Sequence, residues 1–277
     1  MRNPITFSTL ACPEWNNETV LARAAAFGYD GIEWRGGLEG HVRPSLSTSE
    51  RASLRRRVAD SGLFSLAVTA YTSFVSDDLA VRQENVDELQ RYLDLAADLG
   101  ARYVRAFLGE LRPGDEAAAA LPRVAHCLES AAPHAQAVGV GIAVEPHDDF
   151  VRSASVAPIL ERVPHPAVGA VWDVGNTFAA GEDPAEGFRW LGQRLSYVQV
   201  KDSIGRNPHR RLTRLGEGEV PLAGAVAVLL KHGYQGAFSV EWERAWHSDL
   251  DPAEVALPHA LKAMRGLLAA RALENSQ

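Results

Sequence analysis

The sequence predicts an α/β protein, a single (β/α)8 barrel over residues 1–277. Three observations carry that prediction. Eight short apolar runs of strand type begin at intervals of roughly 26 to 40 residues, the length of one strand-plus-helix unit. Glycine recurs just past the helical stretches, where a left-handed cap is wanted before the next strand. No Pro/Gly/Ser-rich linker divides the chain, and regular units without a linker favour one closed barrel over two domains.

The expected strands are residues 5–11, 31–34, 64–71, 103–108, 141–145, 168–173, 197–201 and 237–241. The first is followed by Ala11-Cys12-Pro13-Glu14-Trp15, which lacks the glycine-rich phosphate turn of a doubly wound sheet. Between the strands, apolar residues step by three and four. Val86, Leu89, Leu93, Ala96 and Leu99 mark an amphipathic helix over 85–99, with Ser76-Asp77-Asp78 upstream to cap it. Residues 117–138 are rich in Ala and Leu, and Pro122 and Pro133 are expected to kink or interrupt that helix. Leu257, Leu261, Met264 and Leu268 mark a final helix. An internal echo supports the unit: Gly28-Tyr29-Asp30-Gly31 precedes the second strand and Gly233-Tyr234-Gln235-Gly236 the eighth. Gly100 and Gly139 occupy the same place elsewhere. The long connections, 35–47 and 202–219, follow strands, the side on which a barrel carries its active site.

Composition narrows the function. The chain is 46% hydrophobic and 23% charged, ordinary for a globular protein with a sizeable core. A net charge of −7 argues against a nucleic-acid partner, which wants a basic face. No apolar run approaches the ~20 residues of a membrane span, and the first residues enter a strand pattern without a signal-like stretch. Cys12 and Cys127 make neither a metal spacing nor a disulfide framework. A cytoplasmic location is therefore expected, with no membrane partner; homo-oligomerisation is left open.

The chemistry gathers at strand ends. The fifth strand runs into Glu145-Pro146-His147, the sixth into Asp173 with Asn176 behind it. The seventh carries Gln199 and ends in Lys201-Asp202, and the eighth ends in Glu241. A lone strand-end carboxylate reads as a helix cap or a salt-bridge partner. Four oxygen-bearing ends in series read as one site, because neighbouring strand tips of a barrel converge. Three carboxylates brought together repel, and at least one resists ionising. A divalent cation removes that repulsion. With Gln199 binding through its carbonyl, the donors Glu145, Asp173, Gln199 and Glu241 are all oxygen, which suits Mn²⁺ or Mg²⁺ better than Zn²⁺.

These stretches resemble the xylose isomerase-like TIM-barrel superfamily of sugar isomerases and epimerases, with its inosose and 3-dehydroshikimate dehydratases. The matching segments span nearly the whole chain. They are Gly28-Tyr29-Asp30-Gly31-Ile32-Glu33, Glu145-Pro146-His147, Trp172-Asp173-Val174-Gly175-Asn176, Val198-Gln199-Val200-Lys201-Asp202, Leu215-Gly216-Glu217-Gly218-Glu219 and Ser239-Val240-Glu241-Trp242-Glu243. The resemblance implies that Glu145, Asp173, Gln199 and Glu241 hold the metal. Two positions depart from it. Most members carry His where this chain has Gln199, although some dehydratases are similar in using Gln, and many carry His where Asn176 stands.

The chemistry so implied is isomerisation or epimerisation of a small sugar or polyol through an enediolate-type intermediate. Glu145 and Glu241 are the expected base and acid, and His147 a hydrogen-bond donor to a substrate oxygen. Glu33, Arg105, Asn176 and Lys201 are expected substrate contacts. Asp202 is expected to brace its loop or a neighbouring ligand. Tyr71 and Trp15 could wall a sugar ring, but read more readily as core or rim aromatics. The basic loop from Arg206 to Arg214 could clamp a phosphate or carboxylate and reads more readily as solvated. Three alternatives stay open: a metal-dependent lyase that dehydrates a keto-polyol or keto-cyclitol, an abasic-site endonuclease, and a non-catalytic sugar-binding barrel.

Overall fold

A computed structural model describes residues 3–274. Eight strands close into a parallel barrel: β1 (Ile5–Ser8), β2 (Gly31–Trp34), β3 (Phe64–Ala70), β4 (Tyr103–Ala106), β5 (Gly141–Val144), β6 (Val168–Asp173), β7 (Leu195–Val200) and β10 (Phe238–Val240). The barrel closes where Ile5, Thr6 and Phe7 pair with Phe238, Ser239 and Val240. Around it run α1 (Asn17–Phe27), α2 (Thr48–Asp60), α3 (Leu79–Leu99), α4 (Ala117–Val138), α5 (Ser153–Arg162), α6 (Val174–Ala179), α7 (Pro184–Leu191), α8 (Leu222–Lys231) and α9 (Ala253–Glu274). Among the described residues no helix is long and apolar enough to cross a membrane.

Alternation along the strands makes two layers. The outward residues, among them Phe7, Ile142, Val144, Trp172, Val198, Phe238 and Val240, pack against the helices in one large core. The inward residues Ala143, Val171 and Tyr197, with Leu66, Ala67 and Ala237, form a smaller cluster inside the barrel. Two residues further along the same inward rows come Glu145 after Ala143, Asp173 after Val171, and Gln199 after Tyr197. The pleat therefore stacks polar groups above an apolar plug at one end of the barrel.

The glycine punctuation is where the sequence places it. Gly28, Gly100 and Gly139 cap α1, α3 and α4 in the left-handed region, at φ of 91°, 68° and 73°. The cap expected upstream of α3 settles on Asp78, whose carboxylate accepts the Ala80 N–H at 2.8 Å, so the helix starts at Leu79 rather than at residue 85. Of the expected kink or interruption at Pro122 and Pro133, the interruption is not found. Neither proline interrupts α4, which is continuous from Ala117 to Val138. Each removes only one helical N–H, and the buried face of Ala120, Val124, Leu128, Ala131 and Ala135 holds the helix to the barrel. A second finding was not foreseen: the 202–219 connection contains an antiparallel hairpin, β8 (Asp202–Ile204) with β9 (Arg211–Thr213). Strands of three residues are too short for their alternation to stand out.

Leu93 of α3 is fully buried between barrel and helix layer. Leu93→Ala is expected to destabilise the protein by about 2–5 kcal/mol, read from urea unfolding. A loss well under 1 kcal/mol would mean that this layer collapses around the cavity.

Candidate active site

The polar ends of β5, β6, β7 and β10 meet as alternation requires. Glu145, Asp173 and Glu241 each offer one oxygen, and the three oxygens lie within 4.8 Å of one another. All three side chains are buried. Gln199 is the register partner of Asp173 on one side and of Ser239 on the other, so it sits in the same layer.

Such a concentration of buried negative charge needs compensation, and two cations supply part of it. Arg105, from β4, lies 2.6 Å from Glu241 and 3.4 Å from both Glu33 and Glu145. Lys201, just past β7, lies 2.6 Å from Glu241, 2.6 Å from Glu243 and 2.9 Å from Asp173. The Asp173 contact is an ion pair without the angles of a hydrogen bond, which leaves Asp173 Oδ2 without a hydrogen-bond donor. Arg210 reaches in from the loop between β8 and β9, donating to Asn176 Oδ1 at 2.8 Å and Glu243 Oε1 at 3.2 Å.

The residues present fit a divalent cation. Glu145 Oε2, Asp173 Oδ2 and Gln199 Oε1 are buried oxygens that accept no hydrogen bond, an arrangement that proteins avoid unless something else occupies the lone pairs. Five carboxylates, Glu33, Glu145, Asp173, Glu241 and Glu243, face three cationic side chains, Arg105, Lys201 and Arg210.

The environment also drives the carboxylates apart. Burial pushes Glu145 up to about 7; Arg105 and His147 oppose it, while Glu241 and Asp173 add repulsion. Burial likewise raises Asp173, against the pull of Lys201. Glu241 is equally buried, but Lys201 and Arg105 more than offset that and hold it well below the usual carboxylate range. Glu241 and Glu145 therefore differ in proton affinity, which is how paired carboxylates divide into base and acid.

Above the cluster opens a cleft of about 530 Å³. Glu145, Glu241, His147, Arg105, Asn176 and Lys201 all line it. His147 shares a contact with Asp148 at 2.6 Å and packs edge-on against Phe107, ring centroids 4.7 Å apart. Burial lowers the affinity of this ring for a second proton, and Asp148 and Glu145 more than restore it. Asp148 itself has φ of 50°, unusual for a residue with a side chain and typical of strain kept at working sites. Asn176 donates to Glu145 Oε1 at 3.2 Å.

Not every expected residue reaches the cleft. Glu33, an expected substrate contact, does not line it: the carboxylate is completely buried and surrounded by Tyr197, Gln199, Ser239 and Arg105. Tyr71 forms one wall, stacked on Phe107 at 5.4 Å, with Trp246 edge-on at 6.4 Å. Trp15 lies elsewhere, its indole N–H on Glu254. The basic loop disperses: Arg206 covers the Phe178 ring, Arg214 pairs with Asp251, and of these three only Arg210 turns into the cleft. Glu243 and Trp246 were missed as site residues, and Arg210 was weighed only as one of a basic cluster. Glu243 had a visible signal, because it lies two residues beyond Glu241 on the same side of the chain. Trp246 and Arg210 sit on loops, where no periodicity reports direction.

Asp202 braces its loop as expected. Its carboxylate accepts the backbone N–H groups of Ser203, Gly216, Gly218 and Val220 at 2.9, 2.8, 3.0 and 3.1 Å. A Cβ at Gly218 would lie 2.2 Å from Asp202 Oδ1, so glycine is required there for the backbone to approach.

Fold and site together define a (β/α)8 barrel with a buried oxygen cluster at its strand tips. Residues 21–267 match the model of the xylose isomerase-like TIM barrel family, and the chain belongs to that family. Among curated relatives, it is similar to fructoselysine 3-epimerase of Escherichia coli O157:H7, 25% identical over 240 residues, covering 81% of this chain and 84% of the relative. It is also similar to 3-dehydroshikimate dehydratase of Pseudomonas putida, 26% identical over 238 residues, covering 80% of this chain but 35% of that enzyme. Among solved structures, an L-ribulose 3-epimerase superposes with a TM-score of 0.83 at 20% identity, covering 99% and 97% of the two chains. The IolI protein, described with a binding zinc atom, superposes at 0.82 and 20% identity, covering 97% and 99%. The structural likenesses establish the fold.

Asp202→Asn turns an acceptor of four N–H groups into a partial donor. It is expected to cost about 1–3 kcal/mol in urea unfolding and to speed amide exchange at Gly216 and Gly218. Unchanged stability and exchange would show that the carboxylate does not hold this loop.

Proposed function

We propose that the protein is a divalent-metal-dependent isomerase or epimerase acting on a small sugar or polyol. One observation carries the reading: three buried carboxylate oxygens within 4.8 Å of one another at an open cleft. The epimerase among the curated relatives supports it. Glu145, Asp173, Gln199 and Glu241 would hold the cation through oxygen, a donor set that suits Mn²⁺ or Mg²⁺ better than Zn²⁺. When bound, such a cation supplies the positive charge that steadies the oxygens of an enediolate.

The chain's own residues move the proton. A carbon beside a carbonyl is far too weak an acid to ionise in water, so the base must be ionised and close. Glu241, held in its charged form by Lys201 and Arg105, takes the proton from one face of that carbon. Glu145, whose proton affinity burial raises, returns a proton to the other face. One proton leaves the carbon and one arrives, so composition is unchanged and the stereocentre inverts. His147, oriented by Asp148, donates a hydrogen bond to a substrate oxygen. Asn176, Lys201 and Arg105 contact hydroxyls, while Tyr71, Phe107 and Trp246 offer rings to the apolar face of the substrate.

A second reading, supported by the dehydratase relative, is a lyase on the same cation. It begins with the same proton abstraction and continues with loss of a β-hydroxyl as water from a keto-polyol or keto-cyclitol.

The deciding experiment incubates the Mn²⁺-loaded protein with a panel of keto-sugars and keto-cyclitols in deuterated water, followed by NMR. Deuterium at carbon without loss of water is the expected result. Water loss selects the lyase, and neither change on any substrate sinks both. Chelation should abolish turnover, with Mn²⁺ or Mg²⁺ restoring it; zinc that survives dialysis, with no response to Mn²⁺, would contradict the donor set.

Glu241→Gln keeps shape and one oxygen donor but removes the base. Turnover is expected to fall roughly 10²–10⁴-fold, with solvent exchange falling alongside, while Glu243→Gln is much milder. The reverse pattern would move the base to Glu243.

A further inference from the structure

Gln199 presents an ambiguity that a histidine would not. A side-chain amide has an oxygen end and a nitrogen end, and only the oxygen can face a cation. The surroundings of Gln199 resolve the choice. Its Nε2 donates to Glu33 Oε1 at 2.9 Å and to Glu241 Oε1 at 3.2 Å, using both hydrogens. Turned over, the amide would press its oxygen against those two carboxylates. Gln199 Oε1 is consequently the free end, buried and without a partner.

Glu33 is suited to this task alone. It is completely buried and does not line the cleft. Ser239 donates to its Oε2 at 2.6 Å, Tyr197 to its Oε1 at 3.1 Å, and Arg105 Nε stands 3.4 Å away. Burial raises the proton affinity of Glu33, the nearby Arg105, Ser239 and Tyr197 oppose that rise, and in this geometry its Oε1 accepts from Gln199.

We infer that Glu33 is a positioning residue: it locks the Gln199 amide so that the carbonyl oxygen completes an all-oxygen set with Glu145, Asp173 and Glu241, selective for hard divalent cations over zinc. The inference rests on the reading of this cluster as a cation site. Glu33 never touches the cation or the substrate. Without it, only the longer contact to Glu241 Oε1 at 3.2 Å orients the amide, and a turned amide presents a nitrogen end with no lone pair to offer.

Mn²⁺ binding, measured from the free-ion electron paramagnetic resonance signal, tests this without reference to activity. Zn²⁺ binding, measured by competition against a chromophoric chelator, supplies the selectivity. The comparison uses the intact protein, Glu33→Asp, Gln199→Ala and the double variant. Glu33→Asp keeps the charge but withdraws the carboxylate by one methylene, and circular dichroism checks that each variant is folded. Glu33→Asp is expected to weaken Mn²⁺ binding roughly 10–100-fold and to lower the Mn²⁺-over-Zn²⁺ ratio. The double variant should bind no more weakly than Gln199→Ala, because Glu33 acts through the amide. Additive losses, or unchanged Mn²⁺ binding in Glu33→Asp, overturn the inference and leave the cation site standing. An intact protein that binds no Mn²⁺ overturns both. Should Glu33→Asp fail to fold, Glu33→Gln replaces it. One end of that new amide still accepts, so a smaller loss is expected, and no loss counts against the inference.

Discussion

Charge compensation inside the barrel is the constraint on which the site depends. Five carboxylates stand close together near the axis, three of them at strand tips. Removing charged groups from water is costly, and the attraction of a buried pair offsets that cost only where geometry is good and the remaining lone pairs are used. Lys201 meets the first requirement through three contacts of 2.6 to 2.9 Å, and Arg105 through one at 2.6 Å and two longer ones at 3.4 Å. They do not meet the second, because oxygens of Glu145, Asp173 and Gln199 still have no donor. The cluster is thus built with a deficit that protein cations alone leave in place. The same deficit sets the proton affinities. Glu241 touches both Arg105 and Lys201 at 2.6 Å and stays ionised, while Glu145 has Arg105 only at 3.4 Å and is raised.

The cleft has two kinds of wall, with different mechanical origins. Its acidic side belongs to the barrel, where register pairing and close packing locate each side chain. Its rim belongs to the loops. Tyr71 and Trp246 are 44% and 53% exposed, so the aromatic side is open to solvent. Between them stands the hairpin of β8 and β9, anchored by Asp202 on four backbone N–H groups and carrying Arg210 to Asn176 and Glu243. Asn176 joins the two, donating to Glu145 while accepting from Arg210. A change in the loop can therefore reach a strand-tip carboxylate through a single amide.

Much of this was legible from residue order. All eight barrel strands lie where apolar runs with polar ends place them, within a few residues, because strand alternation and glycine caps are local properties. Glu145, Asp173 and Glu241 could be grouped because each ends an apolar strand, and parallel neighbours align such ends. What was not legible has a common cause. The pleat says that Glu33 and Arg105 face inward but not how deep each lies, and depth separates a substrate contact from a sealed acceptor. Pro122 and Pro133 looked like kinks or breaks since local propensity opposes them, and packing against the barrel keeps the helix continuous through both. Loop residues such as Arg210 and Trp246 have no period from which direction could be read.

The sequence by itself determined the barrel, the end that carries chemistry and the oxygen-rich identity of that end, since periodicity, capping and side-chain type are all written along the chain. Only the tertiary structure decided which charges meet. Arg105 and Glu241 are 136 residues apart in sequence and 2.6 Å apart in space, and Glu33 finds the Gln199 amide across 166 residues. Those pairings arise from closure of the barrel, which brings every inward row to one axis, and no local pattern encodes the distances at which the rows meet.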